Sequence, residues 1–199
     1  MFTVEKLSDL RNAVRYAAPH VDKKGDVPIL SGINFRANKG DTEVTVAATD
    51  RFTLAMIPVP LSVPAPDDID VTLPAKELVA ALKPLKSDNV GAVVSEREGG
   101  RLVQVEVLDT DVAPSVLLPV DGGFPRNLER LVPNEIGAVE SVAFNPAFMA
   151  RFAPASWPGL PASRAPRVDL TFTTRGPIRV SVPDLPDMTG LVMPLRRPA

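Results

Sequence analysis

The sequence predicts an α+β fold in which antiparallel sheets carry helices on one face. A strand, a helix and three further strands recur in this order three times along the 199 residues, at a spacing of about 60 to 70 residues, and such repeats are supersecondary units that pack together. The 22 prolines lie mostly between the periodic segments and mark the ends of strands.

The first unit contains an amphipathic helix between short strands. Leu7, Leu10 and Val14 recur at helical spacing and predict a helix that runs from Leu7 to about Ala18. The segment Asn38-Lys39-Gly40-Asp41 has the composition of a hairpin turn. The strands of this unit are expected at 1–4, 29–36, 42–48 and 52–59.

The second and third units repeat this order. Pro74 suits the first position of a helix, where its missing N–H is not needed, and this helix is expected to end near Lys83. Asn145 and Pro146 predict the start of a third helix, with Asn145 as its cap. The strands are expected at 69–73, 90–95, 101–108 and 113–119, and then at 140–144, 167–173, 177–182 and 190–195.

The composition excludes several classes of function. The chain has no Cys and a single His, His20, so it has almost no material for thiolate sites, His-based zinc sites or Ser-His-Asp triads. No acid–base or nucleophile constellation and no cofactor motif is visible, so we expect a protein that is not an enzyme. The amino terminus has no signal-peptide pattern and no stretch has the length of a membrane span, which favours a cytoplasmic protein.

Four short segments, far apart in the chain, carry distinctive motifs. They are Ala48-Thr49-Asp50 with Leu54-Ala55, Phe124-Pro125 with Pro133, Phe144-Asn145-Pro146, and Met193-Pro194-Leu195-Arg196. In this order they resemble the bacterial DNA sliding clamp, the beta subunit of DNA polymerase III and its processivity factor. The resemblance implies the DNA-clamp fold, with antiparallel sheets outside and helices on the inner face of a ring.

The resemblance covers part of a bacterial clamp. Residues 1–122 resemble one complete clamp domain of two units, the middle one of three, and residues 123–199 resemble a shortened domain with a connector and one unit. Clamp rings of the family hold twelve units. Because this chain has three units, four copies would complete such a ring, and the resemblance therefore favours a homo-tetramer over a trimer. The short form is compatible with a phage-encoded clamp acting in an infected bacterial cell.

A DNA surface is expected on the polar faces of the helices. The net charge is only −2, so the arrangement of cations matters more than their total. Charge pattern alone is typical of an ordinary solvated face, whereas the resemblance implies loose, non-specific contact with duplex DNA. The candidates are Lys6, Arg11, Arg15, Lys23, Lys24, Lys76, Lys83, Lys86 and Arg151.

The resemblance also implies an apolar groove for short peptides of the DNA polymerase and the clamp loader. Where the family has Gly-His-Arg after its Ala-Thr-Asp motif, this chain has Arg51-Phe52-Thr53, a difference that alters the groove. From the pattern alone, the apolar members are plain strand-core residues. The candidates are Thr49, Arg51, Thr53, Leu54, Pro125, Leu131, Leu191, Met193, Pro194, Leu195 and Arg196.

Two hypotheses remain open at this point. In the first, the protein is a clamp that encircles duplex DNA as a ring and tethers replication proteins. In the second, it is a clamp-like interaction module that binds or diverts replication proteins without encircling DNA. The cationic helix faces favour the first hypothesis, and the altered Arg51-Phe52-Thr53 segment favours the second.

Overall fold

The computed structural model describes residues 2–83, 91–97, 102–108, 111, 113–133, 142–152, 168–173, 176–183 and 185–195. Within these residues the fold is α+β, with two antiparallel sheets and three α-helices. The predicted fold class is thus confirmed.

The first unit follows its predicted order closely. Helix α1 buries the predicted stripe of Leu7, Leu10 and Val14, because these side chains recur on one face at the helical period. Tyr16 is also buried, although it lies on another face of the helix. The elements of this unit are β1 (Phe2–Val4), α1 (Leu7–Ala17), β2 (Gly32–Ala37), β3 (Glu43–Thr49) and β4 (Thr53–Pro60).

The second unit differs from its prediction most clearly at Pro74 and at its last strand. Pro74 is the last residue of a strand and precedes the helix, with an extended ψ of 122°. The strand expected at 113–119 is confined to three residues. The elements are β5 (Ile69–Pro74), α2 (Ala75–Leu82), β6 (Ala92–Arg97), β7 (Leu102–Val107) and β8 (Ser115–Leu117).

The third unit departs further from its prediction. Residues 142–144 of the strand expected at 140–144 form no strand, and residues 140–141 lie outside the described part. One backbone hydrogen bond joins this segment to the residues after β11, in which Leu195 N–H donates to the Ala143 carbonyl at 2.7 Å. Asn145 caps the helix as predicted, because its Oδ1 accepts the N–H of Ala147 at 2.9 Å. The elements are α3 (Pro146–Met149), a 3₁₀ turn (Ala150–Phe152), β9 (Asp169–Thr171), β10 (Ile178–Val182) and β11 (Leu185–Val192).

The sheet order joins the first unit to the third. One sheet has the order β1-β6-β7-β8, and the other has the order β5-β2-β3-β4-β11-β10-β9, with every recorded pair antiparallel. Strand β4 pairs with β11, so that Thr53 lies opposite Val192 and Leu54 lies opposite Leu191. The motif segment at 48–55 is therefore joined by backbone hydrogen bonds to β11 and to Met193, whose N–H donates to the Phe52 carbonyl.

Strand β4 contributes side chains to two hydrophobic clusters. Ala55, Ile57 and Val59 point into the main core, which α1 and α2 cover. Leu54 and Met56 alternate with them and point to the opposite face, where they join a smaller cluster that includes Leu30, Phe124, Leu128 and Leu191. The connector that follows β8 thus packs on the second face of the large sheet, and this packing positions the candidate groove.

Candidate functional site

An apolar groove lies between the connector and the junction of β4 with β11. Its volume is about 170 Å³. Leu54, Leu128 and Leu191 form buried walls, whereas Leu131 is 52% exposed and Met193 is 42% exposed. The groove is lined by Thr49, Arg51, Phe52, Thr53, Leu54, Pro125, Leu128, Leu131, Pro177, Leu191 and Met193.

The structure brings together most of the residues predicted for this groove. Pro194 and Leu195 follow the end of β11 and do not line it, and Arg196 lies outside the described residues. Eight predicted residues do line it, namely Thr49, Arg51, Thr53, Leu54, Pro125, Leu131, Leu191 and Met193.

Three lining residues were missed by the sequence reasoning. Leu128 precedes Leu131 by three residues in the 3₁₀ turn Leu128–Leu131, a spacing that indicates one shared face. Phe52 lies inside the first motif segment, between Asp50 and Leu54, but its aromatic side chain was not assigned to the groove. Pro177 precedes β10, and nothing in its sequence context signals the groove.

A network of hydrogen bonds fixes the turn between β3 and β4. Asp50 Oδ1 accepts the backbone N–H of Phe52 at 3.1 Å and the N–H and hydroxyl of Thr53 at 2.8 and 3.0 Å. Thr49 Oγ1 accepts the N–H of Arg51 at 3.1 Å and donates to the Thr53 carbonyl at 2.7 Å. The turn holds Arg51 at a φ of 76°, in the left-handed region that favours glycine.

Arg151 reaches this turn from the third unit. Its Nη1 lies 2.6 Å from Asp50 Oδ2 and 2.6 Å from Thr53 Oγ1. Its guanidinium carbon lies 5.0 Å from the centre of the Phe148 ring, and that ring stacks on Phe52 at 5.6 Å. Phe52 thus links the lining of the groove to α3.

The placement of Arg151 corrects its sequence-based assignment. We predicted a DNA contact, but the side chain is only 21% exposed and its Nη1 contacts Asp50 and Thr53. The reason is non-local, because the partner carboxylate is contributed by the turn between β3 and β4. We therefore omit Arg151 from the DNA surface proposed below.

The environment of Asp50 holds its carboxyl ionised. Burial alone would raise the pKa of Asp50. The hydrogen bond from Arg151 and the backbone N–H groups of Thr53 and Phe52 outweigh burial and lower the pKa below the ordinary value of 3.8. The Asp50–Arg151 pair is consequently charged at neutral pH.

His20 lies behind this pair in the main core. It is fully buried, and its ring centre lies 4.6 Å from that of Phe152. Burial, and then the charge of Arg151, lower the pKa of His20 from 6.5 to about 3. The imidazole is therefore neutral at physiological pH.

The other predicted DNA contacts that the structure describes lie on or beside α1 and α2, which pack against each other. Arg11 is half-buried, Lys86 lies outside the described residues, and Asp9 and Glu77 add negative charge on the same helices. The exposed candidates are Lys6, Arg15, Lys23, Lys24, Lys76 and Lys83.

The described residues provide neither a metal site nor a membrane-spanning helix. Among the described residues, no group of three His, Asp or Glu side chains is arranged to hold a metal ion. None of the described helices has the length and apolarity needed to cross a membrane.

The family of the chain follows from its sequence match. Residues 3–126, more than half of the chain, match the family described as DNA polymerase III beta subunit, central domain. The chain belongs to this family. Members of the family are non-enzymatic processivity factors, and the chain is therefore not an enzyme. No curated protein sequence matches it.

Solved structures show that the chain has the sliding-clamp fold. The Helicobacter pylori beta clamp bound to a DNA ligase peptide superposes with a TM-score of 0.74 at 16% identity, over 98% of this chain and 65% of that one. The Bacillus subtilis sliding clamp superposes with a TM-score of 0.67 at 19% identity, over 99% of this chain and 64% of that one. The Borrelia burgdorferi beta subunit superposes with a TM-score of 0.72 at 14% identity, over 100% of this chain and 64% of that one. The chain thus spans about two thirds of the length of these clamps.

Proposed function

We propose that this chain is a DNA sliding clamp that encircles duplex DNA as a homo-oligomeric ring and tethers replication proteins through its groove. The observation that carries the proposal is the position of the groove. An apolar cavity lies where three motif segments of the clamp family meet, in a chain whose residues 3–126 match that family.

The chemistry of the groove suits a short peptide. Its volume of about 170 Å³ is below the roughly 300 Å³ at which pockets for drug-sized molecules begin. Exposed Leu131 and Met193 beside buried Leu54 and Leu191 provide an adaptable apolar surface for one or two side chains. The Helicobacter pylori clamp, which has the same fold, binds a DNA ligase peptide. We propose that the polymerase and the clamp loader bind here.

The proposed DNA contact is loose and electrostatic. Cations on adjacent helices attract phosphates without reading bases, and this permits sliding. The near-neutral total charge keeps the contact weak, so that ring closure rather than affinity retains the protein on DNA. The contributors are Lys6, Arg11, Arg15, Lys23, Lys24, Lys76, Lys83 and Lys86.

The edge of the smaller sheet supports assembly into a ring. In the described part of the chain, β8 has a neighbouring strand on one side only. Val116 in this strand is 55% exposed and Leu118 beyond it is 68% exposed. Such an edge favours pairing with another chain. We propose that a second copy of the chain covers this edge and that a tetramer forms rather than a trimer. Residues 1–122 and 123–199 would act as the two domains of each copy. The ring would act in the cytoplasm of a bacterial or infected cell.

A second candidate function is a clamp-like module that binds replication proteins without encircling DNA. The Arg51-Phe52-Thr53 segment favours it, because these three residues line the groove and differ from the Gly-His-Arg of the family motif. This candidate shares the groove with the first and differs in assembly and in DNA retention.

Light scattering after size exclusion, over a range of protein concentrations, separates the two candidates. A discrete tetramer or trimer is expected, and it should stay on a closed DNA circle in high salt and be released when the circle is cut. A protein that stays monomeric at every concentration would overturn the ring and leave the interaction module. Equal release from intact and cut circles would overturn encirclement.

A further inference from the structure

Arg51 occupies a backbone conformation that an arginine rarely adopts. Its φ of 76° lies in the left-handed region, which is strained for a residue with a Cβ. Glycine adopts this conformation without that strain. The neighbouring hydrogen bonds of Thr49 and Asp50 hold the turn in place. A strained residue at a binding site points to a role for its side chain.

The charge of Arg51 is uncompensated in the groove. Arg51 is exposed, and it is the one charged side chain among the described residues that line the cavity. The adjacent carboxylate of Asp50 faces Arg151, at 2.6 Å. Within the described part of the chain, no carboxylate lies within ion-pair distance of the Arg51 guanidinium.

A cation at an apolar groove restricts the peptides that fit it. Apolar side chains of a partner enter the cavity beside Leu131 and Met193, while the guanidinium remains available for an acceptor. Arginine binds a carboxylate through two parallel hydrogen bonds, and charge complementarity at a groove rim governs partner choice and association rate. A lysine of a peptide at the same place would meet like charge.

We propose that Arg51 makes the groove selective for peptides in which an aspartate or glutamate lies next to the apolar anchor residues. This inference rests on the proposed peptide-binding role of the groove. It adds a specificity determinant that the glycine of the family motif cannot supply, and it defines the partner as an acidic-apolar segment.

A library selection with random octapeptides as the probe tests the proposal. The library is selected on the wild-type protein, on Arg51→Glu and on Arg51→Gly. The wild type should enrich apolar pairs flanked by Asp or Glu, Arg51→Glu should enrich Lys or Arg at that position, and Arg51→Gly should enrich apolar pairs without a charge preference. The Gly variant suits the positive φ, so its folding is not in question.

Binding constants then quantify the effect. Changing the acidic residue of a recovered peptide to its amide should weaken binding to the wild type about fivefold, because an exposed charge pair contributes about 1 kcal/mol. The weakening should be smaller in high salt, which screens the charges. The same change should not alter binding to Arg51→Gly. As a matched control, Lys39→Glu removes a lysine that is 72% exposed and does not line the groove, and it should keep the wild-type preference.

The failures of the two proposals are distinguishable. Selection of apolar peptides with no acidic preference by the wild type would overturn the role of Arg51 and leave the groove proposal intact. No enrichment of any peptide by the three proteins would overturn the groove and this inference together. The same acidic preference in Arg51→Glu as in the wild type would assign the selectivity to another residue.

Discussion

Replacing Arg151 with methionine should lower the free energy of unfolding at pH 7 by about 2–3 kcal/mol. The guanidinium nitrogen lies 2.6 Å from both Asp50 Oδ2 and Thr53 Oγ1. The Arg151 side chain is 21% exposed and that of Asp50 is 10% exposed. Methionine retains most of the apolar stem of arginine, so the change removes the charge and the hydrogen bonds rather than the packing.

The expected magnitude lies between two limits. Removing one partner of a fully buried ion pair costs about 3–5 kcal/mol, whereas an exposed pair contributes about 0–1 kcal/mol. This pair is partly exposed, which reduces the cost. In addition, Asp50 retains hydrogen bonds from the N–H groups of Phe52 and Thr53 and from the Thr53 hydroxyl, which limit the penalty of an unpaired carboxylate.

The effect should depend on pH in a defined direction. The pKa of Asp50 is below 3.8 in the folded protein, so the ionised carboxylate contributes stability above pH 3.8, and this contribution is lost as pH falls through the folded pKa. In Arg151→Met, that pKa loses one of the interactions that lower it and moves up. The loss of stability that Asp50 causes in acid should therefore still begin near pH 3.8, where the carboxyl of the unfolded chain titrates, but it should be smaller in the variant and should end at a higher pH.

Urea unfolding followed by circular dichroism, at several pH values from 7 downward, measures these differences. Arg126→Met is the matched control, since Arg126 is 81% exposed and lies 3.9 Å from Asp70, and it should cost less than about 0.5 kcal/mol. A double-mutant cycle with Asp50→Asn should give a coupling energy above about 1 kcal/mol. Equal losses in Arg151→Met and Arg126→Met would refute the reasoning.

Three further changes have expected outcomes. Gly190→Ala should lower the free energy of unfolding by about 1–3 kcal/mol in urea, because the added methyl group would overlap the Phe152 ring. Gly123→Ala should lower it much less, because the space around Gly123 is open. Equal losses in the two variants would contradict this packing. Burial of the neutral imidazole of His20 makes the free energy of unfolding fall from pH 6.5 towards pH 3, by up to about 1.4 kcal/mol per pH unit. His20→Leu should flatten this fall. An unchanged slope would mean that other groups cause the fall. Asn145→Ala should lower the melting temperature by a few degrees, as the loss of about 1 kcal/mol of helix capping predicts, whereas Asn145→Asp, which keeps the cap, should not.

The local parts of the fold were predictable from the sequence. Helix α1 has a clear apolar stripe, and its predicted and observed bounds agree within one residue. Asn145 signalled its helix by its own side chain. By contrast, the last strand begins at Leu185 rather than 190, because Leu185 pairs with Val182 of β10 and Thr189 pairs with Met56 of β4. Such pairing is a tertiary effect that periodicity within one segment does not contain.

The candidate site was predictable in outline and not in its connections. The family motifs indicated most of the residues that line the groove, because those motifs follow the two strands and the connector that build it. The inward turn of Arg151 depends on Asp50, and the stacking of Phe52 depends on Phe148. Each of these pairs joins residues about a hundred positions apart, a distance over which spacing rules carry no information.

The pairing of β4 with β11 determines when the groove can exist during synthesis. Thr53 pairs with Val192, which lies 139 positions (192 − 53) further along the chain, and Leu54 pairs with Leu191 beside it. Contacts between such distant segments form late and slow the folding of a domain. A nascent chain that has already folded α1 and β2 to β4 still lacks one wall of the groove until the ribosome has released β11. A peptide that contacts both walls of the groove therefore binds only after β11 has paired with β4.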